Sequence, residues 1–329
     1  MSRWFITGGS GFVGRNLIRD RISRGDAVIA LGRSDRALET LEYLGAQAVR
    51  GNLDSVDTMT QAMRGCDVVV HAAAKVDEWG APEAFQRINV DGTAHVLAAA
   101  RAAGVRRLIH IGTEAPNASG EPLVDIDESQ PFPQPMLPRY PASKGEAERL
   151  VRAANTEQLE TIVLRPRMIW GNDDTSLLPQ IIDAVHAGRF MWIGGGQQLT
   201  STCHVDNLCA AIDAASRSGE PGGAYFITDG EPIPLKQFLN ALLATRGVEV
   251  SDRSLPLPVA RTLAAVCDRL WSLLRLSSPP PISQVAVALI GTQVTVSDRL
   301  AREQLGYRPI ITRDQGLARC ATQATPDSG

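Results

Sequence analysis

The sequence predicts an α/β protein built on a doubly wound parallel sheet, with a smaller C-terminal lobe that covers the substrate. Two observations predict the sheet: short β-branched segments alternate with longer helical patterns through the first half of the chain, and the connections between them are short. A third observation predicts the lobe, because turn-rich pieces and isolated helices replace this alternation after Pro166.

The strands and helices are predicted in their order along the chain. Gly25 and Gly104 are typical stop signals and end two of the helices. Strands are expected at residues 3–7, 27–31, 46–50, 67–71, 107–111 and 161–164, and helices at residues 11–24, 38–44, 85–103, 140–155 and 205–217.

Composition and charge exclude several classes of protein. The 329 residues carry 33 basic and 36 acidic side chains, and the net charge of −3 gives no general attraction to nucleic acid or anionic lipid. The five cysteines are odd in number and never spaced CxxC, which predicts no disulfide framework, no metal site and a cytoplasmic location. No apolar stretch reads as a transmembrane helix.

The turn between the first strand and the first helix predicts a phosphate-binding loop. A dinucleotide pyrophosphate needs backbone N–H groups at a helix N-terminus and no Cβ in the way. Gly8 permits the tight turn, Gly11 the close approach, and Gly14 the packing of the helix on the strand. A plain glycine-rich turn is the alternative, and the position between strand and helix disfavours it. The predicted loop residues are Gly8, Gly11, Phe12, Val13 and Gly14.

The cofactor predicted at this loop is NADP(H) in preference to NAD(H), in a Rossmann sheet. Sites that prefer NAD place an acid at the end of the second strand, where it binds the ribose 2′-hydroxyl. Here Arg33 stands at that point, 19 residues beyond Gly14, and an arginine can hold a 2′-phosphate. A solvated surface arginine is the alternative. The remaining predicted cofactor contacts are Asn52, Leu53, Ala73, Lys75, Tyr140, Lys144 and Pro166.

The catalytic candidates are Thr113, Tyr140 and Lys144. Tyr140 and Lys144 are four residues apart in the pattern YxxxK, so they share one face of a helix. A tyrosine that acts as a base near pH 7 needs its pKa lowered by roughly three units, and a neighbouring cation supplies part of that change. Thr113 ends the fifth strand at the sheet edge where ligands bind, and it could donate to the substrate oxygen.

These residues resemble those of the extended short-chain dehydrogenases/reductases, and most closely the 3β-hydroxysteroid dehydrogenase-like group, which includes bacterial 2-alkyl-3-ketoalkanoate reductases. The strings at residues 89–93, 164–171 and 204–207 strengthen the resemblance. It implies that Tyr140 is the acid/base, that Lys144 tunes it and holds the nicotinamide ribose, and that Thr113 binds the substrate oxygen. It also implies that Pro166 lies near the nicotinamide and that Asn89 braces the helix beneath the site.

The predicted domain boundaries rest on the glycine loop and on the change of pattern after Pro166. Residues 1–170 are expected to form the dinucleotide-binding Rossmann domain, to which residues 205–230 return. Residues 171–204 and 231–329 are expected to form most of the substrate lobe.

The expected substrate is a bulky apolar or steroid-like ketone or secondary alcohol. Sugar-nucleotide members of the superfamily usually carry an Arg-Asp pair that grips the substrate diphosphate, and here the matching positions are Thr200 and Ser201. The expected enzyme is therefore an NAD(P)-dependent oxidoreductase. A nucleotide-sugar epimerase or dehydratase of the same fold is the first alternative, and a non-catalytic dinucleotide-binding scaffold is the second.

Residues 257–276 form an amphipathic segment with Leu263, Val266, Leu270, Leu273 and Leu274 on one helical face. Such a helix could rest on a membrane surface, cover the substrate lobe or make a homodimer contact. The absence of a basic excess in the whole chain favours the cover or the homodimer contact.

Overall fold

A seven-stranded parallel sheet forms the centre of the molecule. The computed structural model describes residues 1–77, 79–276 and 278–322. Along the chain the strands are β1 (Arg3–Thr7), β2 (Ala27–Gly32), β3 (Gln47–Arg50), β4 (Val68–His71), β5 (Arg107–Ile111), β6 (Leu123–Ile126), β7 (Glu160–Pro166), β8 (Ile169–Trp170), β9 (Trp192–Ile193), β10 (Leu199–Thr200), β11 (Cys203–His204), β12 (Ala224–Ile227), β13 (Ile233–Pro234), β14 (Ser254–Leu255) and β15 (Val294–Val296). The central sheet has the order β12-β7-β5-β4-β1-β2-β3, with every neighbouring pair parallel.

Helices cover both faces of this sheet. They are α1 (Phe12–Ser23), α2 (Asp35–Tyr43), α3 (Val56–Met63), α4 (Pro82–Phe85), α5 (Gly92–Ala103), α6 (Tyr140–Ala153), α7 (Leu177–His186), α8 (Val205–Ala215), α9 (Leu235–Ala244), α10 (Leu257–Leu273), α11 (Gln284–Ile290) and α12 (Arg313–Thr322). Because both faces are covered, the inner strands are largely apolar, and all four residues of β4 are buried. Trp4 and Ile6 pack into the core on one face, while Phe5 packs into the core on the other.

The predicted doubly wound sheet is confirmed, and its elements differ from the prediction in a few places. β1 and β5 have the predicted bounds. The helix expected at residues 85–103 is instead α4, a π-helical segment (Gln86–Asp91) and α5 in succession. The sequence pattern did not reveal α3 or the edge strand β12. Both are short, and α3 buries only Met59 and Met63.

Two segments pack across the domain division that the sequence predicts. β6 lies within residues 1–170, yet it pairs with β15 in the four-stranded lobe sheet β13-β10-β15-β6. Residues 301–307 were expected in the lobe, but Leu305 and Tyr307 pack in the core of the central sheet. The Tyr225 hydroxyl of β12 also donates to Gln304 (2.7 Å). Leu305 and Tyr307 are apolar and lie beside the edge strand β12, where the central sheet buries them. Of the predicted lobe, residues 277 and 323–329 lie outside the described residues.

The large apolar side chains of α10 point outward, so they do not cover the lobe, and the homodimer contact stays a prediction. The helix packs through the small residues Ala260 and Ala264, which are fully buried beside Val287 of α11. Leu263, Leu270 and the other large apolar side chains of this face stay exposed. Small side chains allow α10 to approach closely, which leaves the large ones on the outer side. Within the described residues no helix is long and apolar enough to span a membrane.

Candidate active site

The glycine loop forms a cradle at the N-terminus of α1. Gly8 has φ +74°, and a Cβ there would lie 2.7 Å from the Ala73 nitrogen. A Cβ on Gly14 would lie 2.2 Å from the Gly8 carbonyl oxygen, so α1 packs directly on the turn. Gly11 is the N-cap of α1 and offers no side-chain cap, and a Cβ there would meet only the Gly8 oxygen, at 3.3 Å. Phe12 and Val13 follow in the first turn. The loop therefore leaves helix N–H groups and open space for an anion.

The other predicted cofactor contacts lie along the same edge of the sheet. Arg33 is exposed beyond β2 and makes no hydrogen bond or ion pair with any described residue. Asn52 is exposed after β3, where its side-chain oxygen accepts from the Asp54 nitrogen (2.8 Å). Ala73 follows β4, where its nitrogen donates to Thr7 (3.3 Å). Leu53 is half-buried against Gly92, Lys75 forms an ion pair with Asp77, and Pro166 is the buried last residue of β7.

Thr113 and Tyr140 come together at the carboxyl edge of the sheet. Thr113 lies just beyond β5, and Tyr140 is the first residue of α6. Burial and the negative charge of Glu114 raise the pKa of Tyr140, while a hydrogen bond with Thr113 opposes the shift. The sequence led us to expect a lowered pKa. The structure has the opposite direction because burial disfavours phenolate and the nearest strong charge is an anion.

Lys144 lies one helical turn beyond Tyr140, but its ammonium group is bound to β5. The buried Nζ donates to the Ile111 carbonyl oxygen (2.7 Å) and lies 3.3 Å from His110 Nε2. Burial lowers the pKa of Lys144 to about 8, although the charge of Glu148 opposes this.

A buried ion pair beside Thr113 escaped the sequence analysis. Glu114 and Arg167 are each 3% exposed and form a salt bridge. The Thr113 hydroxyl donates to Glu114 Oε2 (2.8 Å). Donation from Thr113 to a substrate oxygen stays a prediction. The sequence did contain a signal for this pair. Glu114 closely follows β5 and Arg167 directly follows β7, and these two strands are neighbours in the sheet.

The positions that resemble the arginine site of sugar-nucleotide enzymes hold buried hydroxyls. Thr200 and Ser201 are both nearly inaccessible to solvent. Arg167 reaches this place from β7, where its Nη2 donates to Thr200 Oγ1 (3.3 Å) and to the Leu289 carbonyl (2.5 Å). Glu114 already pairs with the Arg167 guanidinium and compensates its positive charge. Arg167 is therefore not a free cationic partner for a substrate diphosphate.

A polar network lies directly beneath the site. Asn89, in the π-helical segment, accepts from the Lys75 nitrogen (2.7 Å) and donates to the Lys75 carbonyl (3.0 Å) and to Ser143 (2.9 Å). His71 lies 2.7 Å from the Thr7 hydroxyl and 3.0 Å from that of Thr93. These bonds connect the glycine loop, β4 and α6.

Comparison with known proteins places this geometry among oxidoreductases. The model of the 3-beta hydroxysteroid dehydrogenase/isomerase family matches residues 5–258. The chain is 45% identical over 315 residues to the 4-hydroxy-2-methyl-3-oxo-4-farnesyl-3,4-dihydroquinoline-1-oxide ketoreductase of Stigmatella aurantiaca, covering 96% of this chain and 94% of that protein. It is 35% identical to a 2-alkyl-3-oxoalkanoate reductase of Stenotrophomonas maltophilia, covering 95% and 97%.

The fold is also found among solved structures. A UDP-glucuronic acid 4-epimerase from Bacillus cereus superposes with a TM-score of 0.75 at 17% identity, covering 98% of each chain. At that identity the likeness concerns the fold.

Proposed function

The chain belongs to the 3-beta hydroxysteroid dehydrogenase/isomerase family, and on that premise we propose that this extended short-chain dehydrogenase/reductase interconverts a ketone and a secondary alcohol on a bulky apolar or steroid-like substrate. The observation that carries the proposal is the meeting of Tyr140 and Thr113 at the sheet edge, with the buried Lys144 one helical turn away. Tyr140 moves the proton at the substrate oxygen.

The glycine loop fits a dinucleotide cofactor. Gly11 leaves the N-terminus of α1 open, while Gly8 and Gly14 admit no Cβ without a backbone clash. When bound, a nicotinamide dinucleotide supplies or accepts the hydride. The loop N–H groups hold the diphosphate, and Arg33, exposed beyond β2 and without a described partner, holds a 2′-phosphate. This supports NADP(H) as the preferred cofactor.

The protonation state of Tyr140 is compatible with its role as the proton donor in ketone reduction. Since burial and Glu114 raise its pKa, the phenol keeps its proton at neutral pH and can donate it to a ketone oxygen. Thr113 donates to Glu114 Oε2 and lies within hydrogen-bonding reach of the phenol, which it orients. Lys144 is anchored on β5 at Ile111, where it presents a positive charge close to the predicted ribose position.

An apolar substrate is supported by the charges around the site. The arginine that reaches Thr200 is compensated by Glu114, which leaves a sugar diphosphate without a free cationic partner there. The names of two relatives describe a farnesyl-bearing quinoline oxide and an alkyl-branched oxoalkanoate, and both names contain an oxo group and an apolar substituent.

Tyr140→Phe tests the reaction. We expect turnover of steroid ketones, 3-keto acids and aryl ketones with NADPH, followed at 340 nm, to fall by at least about 100-fold because the proton donor is lost. NADPH affinity should stay within about threefold, because the glycine loop and Arg33 still hold the diphosphate and the 2′-phosphate. Tyr43→Phe, at an exposed position of α2, is the matched control. Undiminished turnover in Tyr140→Phe, or turnover confined to UDP-sugars, would contradict the proposal.

Arg33→Asp tests the cofactor preference. Loss of a charge-assisted contact of roughly 1.5–3 kcal/mol should weaken NADPH relative to NADH by about 10-fold or more. Arg64→Asp makes the same charge change at the far end of α3 and should leave the ratio unchanged. An unaltered preference for NADPH in Arg33→Asp would refute the assignment.

A further inference from the structure

The outer face of α10 concentrates exposed apolar surface. Of the fourteen large apolar residues that are exposed within the described chain, seven lie between residues 259 and 276. Leu273 is 78% exposed and Leu274 is 62% exposed, although leucine is normally among the most buried residues. The seven are Val259, Leu263, Val266, Leu270, Leu273, Leu274 and Leu276. Spacings of three and four residues place most of them in one stripe along the helix.

The charges on α10 and its C-terminal end are positive wherever they are exposed. The single acid between residues 257 and 276 is Asp268, which is buried and accepts from the Gln284 nitrogen (3.1 Å). Arg261, Arg269 and Arg275 are exposed. Arg261 lies 3.8 Å from Glu121, whereas Arg269 and Arg275 form no ion pair with a described residue. The segment therefore differs from the chain as a whole, which has a net charge of −3.

The C-terminal end of α10 borders the candidate active site. The Trp79 indole N–H donates to the Leu276 carbonyl oxygen (3.0 Å), and Arg139 Nη2 donates to the Ser272 hydroxyl (3.3 Å). The Arg139 guanidinium also stacks 3.6 Å from the centre of the Trp79 ring. Arg139 immediately precedes Tyr140, so the exposed stripe ends beside the residue that moves the proton.

We propose that the outer face of α10 docks the enzyme on the surface of an anionic lipid bilayer. Leucine and valine side chains enter the boundary between headgroups and acyl chains, and Arg269 and Arg275 contact anionic headgroups. Two further occupants fit less well. A second copy of the chain would bring only positive charges from this segment to a two-fold contact, because its one acid, Asp268, is buried. A bound substrate would not need a stripe that extends over the whole helix.

Docking of this kind would place the site entrance at the membrane, where long-chain ketones concentrate. This consequence for substrate delivery rests on the proposed function, whereas docking itself does not. The farnesyl group in the name of the ketoreductase relative is the type of substituent that partitions into bilayers.

Vesicle co-sedimentation tests the proposal on the full chain, without cofactor or substrate. We expect binding to vesicles of phosphatidylcholine with one-third phosphatidylglycerol, weaker binding to pure phosphatidylcholine, and partial release at high salt. The double variant Leu273→Glu/Leu274→Glu should bind at least about fivefold more weakly. Val124→Glu/Ile310→Glu, at residues 61% and 62% exposed elsewhere, adds the same charges and should bind like the wild type.

Size-exclusion chromatography with light scattering distinguishes the other outcomes. A wild-type dimer that the double variant at Leu273 and Leu274 converts to monomers would assign the face to a second copy and overturn the proposal. Absence of binding to either vesicle would also overturn it. Turnover of a water-soluble ketone by the double variant should equal that of the wild type. A wild-type protein that turns over ketones but binds no vesicles would contradict the docking and not the proposed function. A protein that binds vesicles but turns over no ketone would contradict the proposed function and not the docking.

Discussion

Lys144 shows how the surroundings of one side chain change its chemistry. Its buried ammonium group faces the Ile111 carbonyl oxygen and His110 Nε2, and the removal of water from this group lowers its pKa to about 8. Glu148 lies one helical turn further along α6 and raises that pKa, while it also forms a buried salt bridge with Arg165. The cation is therefore present at pH 7 and is lost under mildly alkaline conditions.

This titration predicts the pH profile of the reaction. If the ammonium form of Lys144 is required, kcat/KM for ketone reduction falls as the pH rises through about 8. Glu148→Gln removes a negative charge, so the alkaline limb should move to lower pH by roughly one unit. Asp213→Asn removes a carboxylate from a distant salt bridge with Arg21 and should not move it. An identical limb in Glu148→Gln and the wild type would refute the assignment to Lys144.

At the scale of elements, the glycines of the β1–α1 turn serve both the packing of α1 and the predicted binding of the cofactor. Gly14 has φ/ψ values of an ordinary helix, but its hydrogen faces the Gly8 carbonyl and leaves no room for a methyl group. Gly11 has an extended backbone (φ −82°, ψ 177°) that alanine can adopt. The two glycines therefore have separable roles, one in packing and one in the approach of an anion.

Substitution by alanine separates these roles. Gly14→Ala should lower stability by roughly 1–3 kcal/mol or more, because a backbone carbonyl must move, and it should also abolish cofactor binding. Gly11→Ala should unfold near the wild-type temperature and yet bind NADPH at least about tenfold more weakly, because its methyl group enters the anion site. Thermal unfolding and fluorescence titration with NADPH measure the two effects. Wild-type affinity in Gly11→Ala would show that the diphosphate lies elsewhere.

The elements that the sequence predicted well are those with strong local signals. β1 and β5 are apolar strands between polar turns, and α6 begins at Tyr140 as predicted. The missed α3 buries two methionines four residues apart, which is too short a pattern to define a helical period. β12 is a four-residue strand that becomes recognisable only when it pairs with β7.

At the scale of the molecule, two buried histidines lie side by side in the middle of the central sheet, beneath the site. His71 and His110 stand on neighbouring strands, with ring centres 5.2 Å apart. Burial and the charge of Lys144 lower the pKa of His71 to about 3 and that of His110 well below its usual range. The folded protein therefore keeps both imidazoles neutral under conditions in which the unfolded chain protonates them.

Stability should fall in mild acid for this reason. The contribution of neutral His71 is complete above pH 6.5 and is lost progressively as the pH falls from 6.5 toward 3. Between pH 7 and pH 5 the loss from His71 alone is about 2 kcal/mol. His71→Asn should lose less stability over this interval than the wild type, by about that amount, in denaturant unfolding at the two pH values. Equal losses would show that His71 is not buried in its neutral form.

The sequence by itself determined the doubly wound sheet, the glycine loop and the identity of Thr113, Tyr140 and Lys144 as candidates, because periodicity, turn glycines and i,i+4 spacing act over short stretches of chain. Only the tertiary structure decided how these groups are charged and paired. Glu114 meets Arg167 from another strand, Lys144 is held by β5, and α10 presents its leucines to the outside. Burial and contacts between distant segments control hydrogen-bond partners, pKa values and exposure. These contacts form only when the chain folds, so the sequence pattern alone does not reveal them.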